Sequence, residues 1–197
     1  MLKQILFIRH GETEWSRSGK HTGRSDIALS EQGESNARGI AGRLALVRLE
    51  HVFTSPRQRA RRTCELAGLG ARAQDDPDLA EWDYGDFEGL STAEILRARP
   101  SWSLFRDGCP GGESPGQVSD RADRVIARLR QLDGSVALFS HGHFGRVLAA
   151  RWIGAPAETG QRLILDTASI SILSYEHGDR AAAGIALWNS RSCDLSP

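Results

Sequence analysis

Two short apolar runs in this chain each stop on a histidine followed by a glycine, and no other feature narrows its fold so far. Residues 4–8 read QILFI and run into Arg9-His10-Gly11, while residues 136–139 read VALF and run through Ser140 into His141-Gly142. Apolar runs of this length, without alternation, fit strands covered on both faces, as in a parallel sheet flanked by helices. Two further β-rich segments, ASISILSYE at 168–176 and AGIALW at 183–188, are joined across HGD in the manner of a hairpin.

Amphipathic patterns fill the intervals. From Ser30, a fitting N-cap, Ala37, Ile40, Ala41, Leu44 and Val47 fall on one helical face, and over 116–132 so do Val118, Ala122, Val125, Ile126, Leu129 and Leu132. PRQRARRTCELAGL at 56–69 opens on a proline suited to a first helical turn, and HFGRVLAARWI at 143–153 follows the second histidine. Strands alternating with helices predict an α/β fold, and 197 residues predict a single domain over 1–197. GCPGGESPG at 108–116 is too short for a domain linker and is expected to be a functional loop.

Composition excludes several classes. Lys plus Arg and Asp plus Glu number 25 each, which leaves no overall footprint for nucleic acid or a membrane surface. Cys64, Cys109 and Cys193 are odd in number and widely spaced, against both a disulfide framework and a cysteine zinc site. The start of the chain has no signal-peptide core and no run reaches the ~18 apolar residues of a membrane span, so a cytoplasmic protein is expected. A homodimer is the default expectation for its assembly.

In open α/β sheets, ligands bind outside the carboxyl ends of the strands. His10 and His141 stand at two such ends, Arg9 and Gly11 flank the first, and Gly142 and His143 follow the second. Two histidines, an arginine and glycines that let backbone N–H groups approach an anion point to phosphate.

The blocks RHGETEW, TGRSDIALSEQG, TSPRQRARRT, LAEWDYGDFEG, GGES and SHGHFGR, in this order along nearly the whole chain, resemble the histidine phosphatase superfamily, which also holds the cofactor-dependent phosphoglycerate mutases. The resemblance implies a three-layer α/β/α sandwich with a mostly parallel sheet. It makes His10 the nucleophile that takes the phosphoryl group, Arg9 and Arg59 clamps on its oxygens, His141 a further donor, and Glu81 the proton donor to the leaving oxygen. Neutral imidazole attacks phosphorus without prior deprotonation, and arginines on the equatorial oxygens are what phosphoryl transfer requires. Arg61 and Arg62 read as a solvated face, Arg57 is left open, and Asp86 and Glu88 are secondary to Glu81.

Many members carry asparagine where this chain has Ser16, whose hydroxyl is the expected substitute. Thr22 and Gly23 are expected to hold the phosphate or the leaving oxygen, with Lys20 and His21 at the rim or on the surface. The wording most resembles the fungal sedoheptulose-1,7-bisphosphatase branch, which implies an outer pocket of Gly142, His143, Tyr84, Arg106, Glu113 and Ser114. Trp102 and Trp152 read as core, whereas Trp15 and Trp82 are either pocket walls or core.

The segment from Leu90 to Asp107 is short and lacks lysine, and the chain stops soon after its last strand, unlike the mutase branch. The expectation is therefore a metal-independent and cofactor-independent phosphatase of a small phosphorylated metabolite, a sugar phosphate or bisphosphate. A phosphoglycerate mutase is the alternative, and a non-catalytic phosphate-binding module the third.

Overall fold

In the computed structural model, which describes residues 1–179 and 182–191, the elements run β1 (Leu2–Arg9), α1 (Glu14–Arg17), α2 (Glu31–Leu44), β2 (His51–Thr54), α3 (Gln58–Leu66), β3 (Gln74–Asp75), α4 (Thr92–Ala98), α5 (Leu104–Asp107), α6 (Pro115–Leu129), β4 (Gly134–Ser140), α7 (Gly142–Trp152), β5 (Ile170–Tyr175) and β6 (Ala183–Ser190). They form one six-stranded sheet in the order β3-β2-β4-β1-β5-β6. β2 and β4 run parallel to their neighbours, and only β5 pairs antiparallel to β1 and β6.

Alternation along the central strands builds the layers. Ile5, Phe7, Val136 and Leu138 pack into a core with Val118, Val125, Phe144 and Val147 of α6 and α7. Leu6, Ile8, Ala137 and Phe139 pack into a second core with Ile40 and Leu44 of α2 and Cys64 of α3. Both faces of β1 and β4 are therefore dry, which is why neither strand alternates in polarity.

The parallel register pairs Arg9 with Ser140, so the next residues of both strands, His10 and His141, emerge side by side at the sheet's carboxyl edge. The backbone N–H of His10 continues the ladder onto the Ser140 carbonyl at 2.9 Å.

Several element boundaries differ from the sequence reading. α2 starts at its Ser30 cap but stops at Leu44, leaving Val47 beyond it. Pro56 precedes α3 rather than opening it, because the cap is Arg57. α7 begins at Gly142, directly after its His141 cap, and β2, a four-residue strand, was not foreseen. Trp102 and Trp152 are core residues as expected, and so is Trp82. Among the described residues no helix is long and apolar enough to cross a membrane. Cys64 and Cys109 are buried free thiols, and Cys193 lies outside the described residues.

Candidate active site

A cavity of about 190 Å³ opens at the sheet's carboxyl edge, and its wall includes Arg9, His10, Glu81, Tyr84, His143 and Arg146. His10 is 5% exposed, and its Nδ1 lies 2.7 Å from the Gly11 carbonyl oxygen. A carbonyl can only accept, so Nδ1 carries the proton and Nε2 holds the free lone pair. Burial, followed by the charges of Arg59 and Arg9, holds the His10 imidazole well below the ordinary histidine range. The ring is therefore a neutral base at neutral pH.

Arg9 donates from Nη1 to the Leu165 carbonyl at 2.5 Å, and burial lowers its pKa, opposed by the carboxylate of Glu81. Glu81 sits at the amino end of α7: Oε1 accepts from Trp82 N at 2.9 Å and Phe144 N at 2.8 Å, and Oε2 from His143 N at 3.0 Å. The His143 and Phe144 N–H groups, in the first turn of α7, have no partner within the helix, and a carboxylate is the natural group to meet them. The segment leading to Glu81 is held by Arg121, which donates to the carbonyls of Asp78, Ala80 and Glu81 and pairs with Glu113 at 2.8 Å.

The outer wall is a cluster of rings. The Tyr84 hydroxyl lies 2.6 Å from His143 Nδ1, and the His21 ring lies 4.6 Å from that of Tyr84. Burial drives the Tyr84 phenol well above its ordinary value and the His143 imidazole well below its own. The His21 ring is pulled down to about 4 by burial.

The model of the histidine phosphatase superfamily (branch 1) matches residues 5–189. The chain belongs to this superfamily. An acid phosphatase of Mycobacterium tuberculosis is 42% identical, over 93% of this chain and 92% of its own. The sedoheptulose 1,7-bisphosphatase of Saccharomyces cerevisiae is 36% identical, over 77% of this chain and 68% of its own. The solved structure of an open reading frame from Mycobacterium tuberculosis superposes with a TM-score of 0.91 at 39% identity, covering 96% of this chain and 98% of that one.

Within this histidine phosphatase, not every residue read from the sequence reaches the cavity. His10, Arg9, Glu81, Ser16, Thr22, Tyr84, Gly142 and His143 line it. Arg59 and His141 are fully buried behind them. All three Arg59 nitrogens are engaged, Nη1 and Nη2 by the carbonyls of Ser25, Thr22 and Gly23 and Nε by His141 Nδ1 at 3.2 Å. His141 in turn meets the Ser55 hydroxyl through Nε2 at 2.8 Å, so both its ring nitrogens are engaged within the protein.

The Ser16 hydroxyl proton goes to the Thr13 carbonyl at 3.0 Å, in the capping box of α1, and is not available to a ligand in this arrangement. The Gly23 N–H is held by the Glu88 carboxylate at 2.9 Å, which gives Glu88 a structural place.

Arg106, Glu113 and Ser114 do not line the cavity. Arg106 is exposed and paired with Asp107, Glu113 holds Arg121, and Ser114 caps α6. Arg57 caps α3 outside the cavity, Arg61 pairs with Asp75, and Arg62 pairs with Glu34 and Glu65. The sequence reading missed Gly19, Arg146, Thr92 and Leu165, and Lys20 and His21, read as rim or surface, line the cavity as well. Arg146 was detectable: it follows His143 by three residues on α7, so the two share a helical face.

Proposed function

We propose that this protein is a phosphoric monoester hydrolase that acts on a small sugar-like phosphate through a phosphohistidine on His10. The observation that carries the reading is the His10 ring, with Nδ1 fixed on the Gly11 carbonyl and Nε2 left free in a cavity that also holds Arg9 and Glu81. Nε2 attacks phosphorus, and the P–O bond to the ester oxygen breaks. Glu81 enters this step as the carboxylic acid, gives its proton to the leaving alkoxide and becomes the carboxylate that the backbone N–H groups hold. Water then attacks the phosphohistidine, Glu81 accepts its proton, and phosphate leaves with Nε2 restored.

Arg9 neutralises charge on the transferring group, while Arg59 contributes its positive charge from behind His10 and braces residues 22–25. His141 orients Arg59 and abuts His10, their ring centroids 5.2 Å apart. The names of the acid phosphatase and the sedoheptulose bisphosphatase support hydrolysis of a sugar-like phosphate ester. A cytoplasmic homodimer that needs neither metal nor cofactor completes the proposal.

The test is turnover of an aryl phosphate and a panel of sugar phosphates in EDTA, by wild type and His10→Ala. Hydrolysis by wild type and none by the variant supports the reading. Activity only with added metal would overturn it, and so would 3-phosphoglycerate isomerisation stimulated by 2,3-bisphosphoglycerate without hydrolysis.

A further inference from the structure

The Arg9 guanidinium is held by a segment that is itself held by the last strand. Its Nη1 donates to the Leu165 carbonyl at 2.5 Å, and Leu165 also lines the cavity. Three residues on, the Ala168 N–H donates to both the Arg9 carbonyl at 3.1 Å and the His10 carbonyl at 3.0 Å. Residues 164–168 thus strap the end of β1, side chain and backbone together.

The strap belongs to no regular element, and two β6 side chains fasten it. Asn189 accepts from the Asp166 N–H through Oδ1 at 2.6 Å and donates from Nδ2 to the Asp166 carboxylate at 3.1 Å. Trp188 donates from Nε1 to the Ile164 carbonyl at 2.6 Å. The local backbone explains how adjacent residues of one strand reach the same loop. The β5–β6 register slips between Ile170↔Ser190 and Ile172↔Leu187, and Asn189 takes φ 58 at the slip, with its N–H on the Ser171 hydroxyl at 3.0 Å. That is a bulge with a left-handed residue, a device that re-aims a side chain, and asparagine tolerates this φ better than most residues.

We propose that Asn189, seconded by Trp188, is a positioning residue for the phosphoryl-transfer site: its clasp on Asp166 keeps the Leu165 carbonyl where it orients Arg9. The inference rests on the phosphatase reading for the role of Arg9. The coupling itself is a matter of anion binding and can be measured apart from turnover.

The decisive variant is Asn189→Gly, which keeps the left-handed backbone and removes only the clasp. Affinity for inorganic phosphate and kcat/KM for an aryl phosphate are measured in the wild-type and Arg9→Ala backgrounds, with Trp188→Phe as the second variant. In the wild-type background Asn189→Gly should weaken phosphate binding and lower kcat/KM about tenfold, the scale of a displaced positioning group. In Arg9→Ala it should change phosphate binding little, because the residue it acts through is gone. Trp188→Phe should show the same pattern, more weakly.

Unchanged phosphate affinity in Asn189→Gly overturns the proposal, and so does an equal loss in both backgrounds, which would mark a general effect on the fold. If Asn189→Gly fails to fold, Trp188→Phe decides by the same comparison. Absence of wild-type turnover alongside Arg9-dependent phosphate binding that Asn189→Gly weakens would sink the phosphatase reading and leave this inference standing.

Discussion

His10 and Gly11 are tied by a hydrogen bond within one turn of chain: the imidazole Nδ1 donates to the neighbouring carbonyl at 2.7 Å. The bond fixes both the tautomer and the face of the ring, and it places the reactive lone pair on Nε2. Phosphoryl label trapped on the protein is therefore expected as the Nε2-linked isomer. NMR of the denatured, acid-labile adduct distinguishes it from the Nδ1 isomer. His10→Ala should abolish the label and lower kcat by roughly 10⁴-fold or more, and a label on Nδ1 would contradict the geometry.

In the proposed mechanism Glu81 donates its proton only when the leaving oxygen needs one, so the cost of losing it depends on the ester. Glu81→Gln should lower kcat for an alkyl or sugar phosphate by about 10²–10⁴-fold. It should cost far less with an aryl phosphate whose phenolate departs unaided. The amide also sets an NH₂ group or a single carbonyl against three backbone N–H donors, those of Trp82 and of His143 and Phe144 at the head of α7. A modest fall in Tm should therefore accompany the kinetic loss. Equal losses for both esters would remove Glu81 from the proton transfer.

The central architecture was legible because it rests on dry strands. Ile5 to Ile8 and Val136 to Phe139 are buried on both faces, and such strands announce themselves as unbroken apolar runs. β2 did not, since four residues give no periodicity to read. His10, Arg9 and Glu81 line the cavity, as the chain motifs that carry them imply. The outer pocket fared worse. Arg106, Glu113 and Ser114 sit near the site in sequence but spend their polar atoms on Asp107, Arg121 and the α6 cap. Which way a loop side chain points depends on partners tens of residues away, and spacing alone does not encode that.

Gly11 tests how closely the turn after His10 must approach α2. A Cβ added there would lie 2.4 Å from the Gly33 carbonyl oxygen, a backbone atom with no rotamer through which to yield. Gly11→Ala is expected to destabilise by about 1–3 kcal/mol, which lowers Tm by roughly 2–4 °C per kcal/mol for a chain of this size. Because the Gly11 carbonyl also fixes the His10 ring, activity should fall further than stability accounts for. A variant with wild-type kcat and Tm would mean that the two segments separate freely.

Four histidines cluster at the site with lowered pKa: His10, His141 and His143 well below the ordinary value, and His21 at about 4, each chiefly through burial. In the unfolded chain these rings titrate near 6.5. Between that pH and the folded values the unfolded state binds more protons, so stability is fully present above about 6.5 and falls as the pH drops toward the folded values. Each ring contributes at most about 1.4 kcal/mol per pH unit over its window. Catalysis has the opposite tolerance, since depressed pKa values keep His10 neutral and nucleophilic in acid. Initial rates taken within seconds at pH 5 should therefore retain a His10-competent kcat/KM, while Tm, measured by calorimetry from pH 7.5 to 5, falls steeply. A Tm that stays flat from pH 7.5 to 5 would show that these rings are solvated, against the burial on which the mechanism depends.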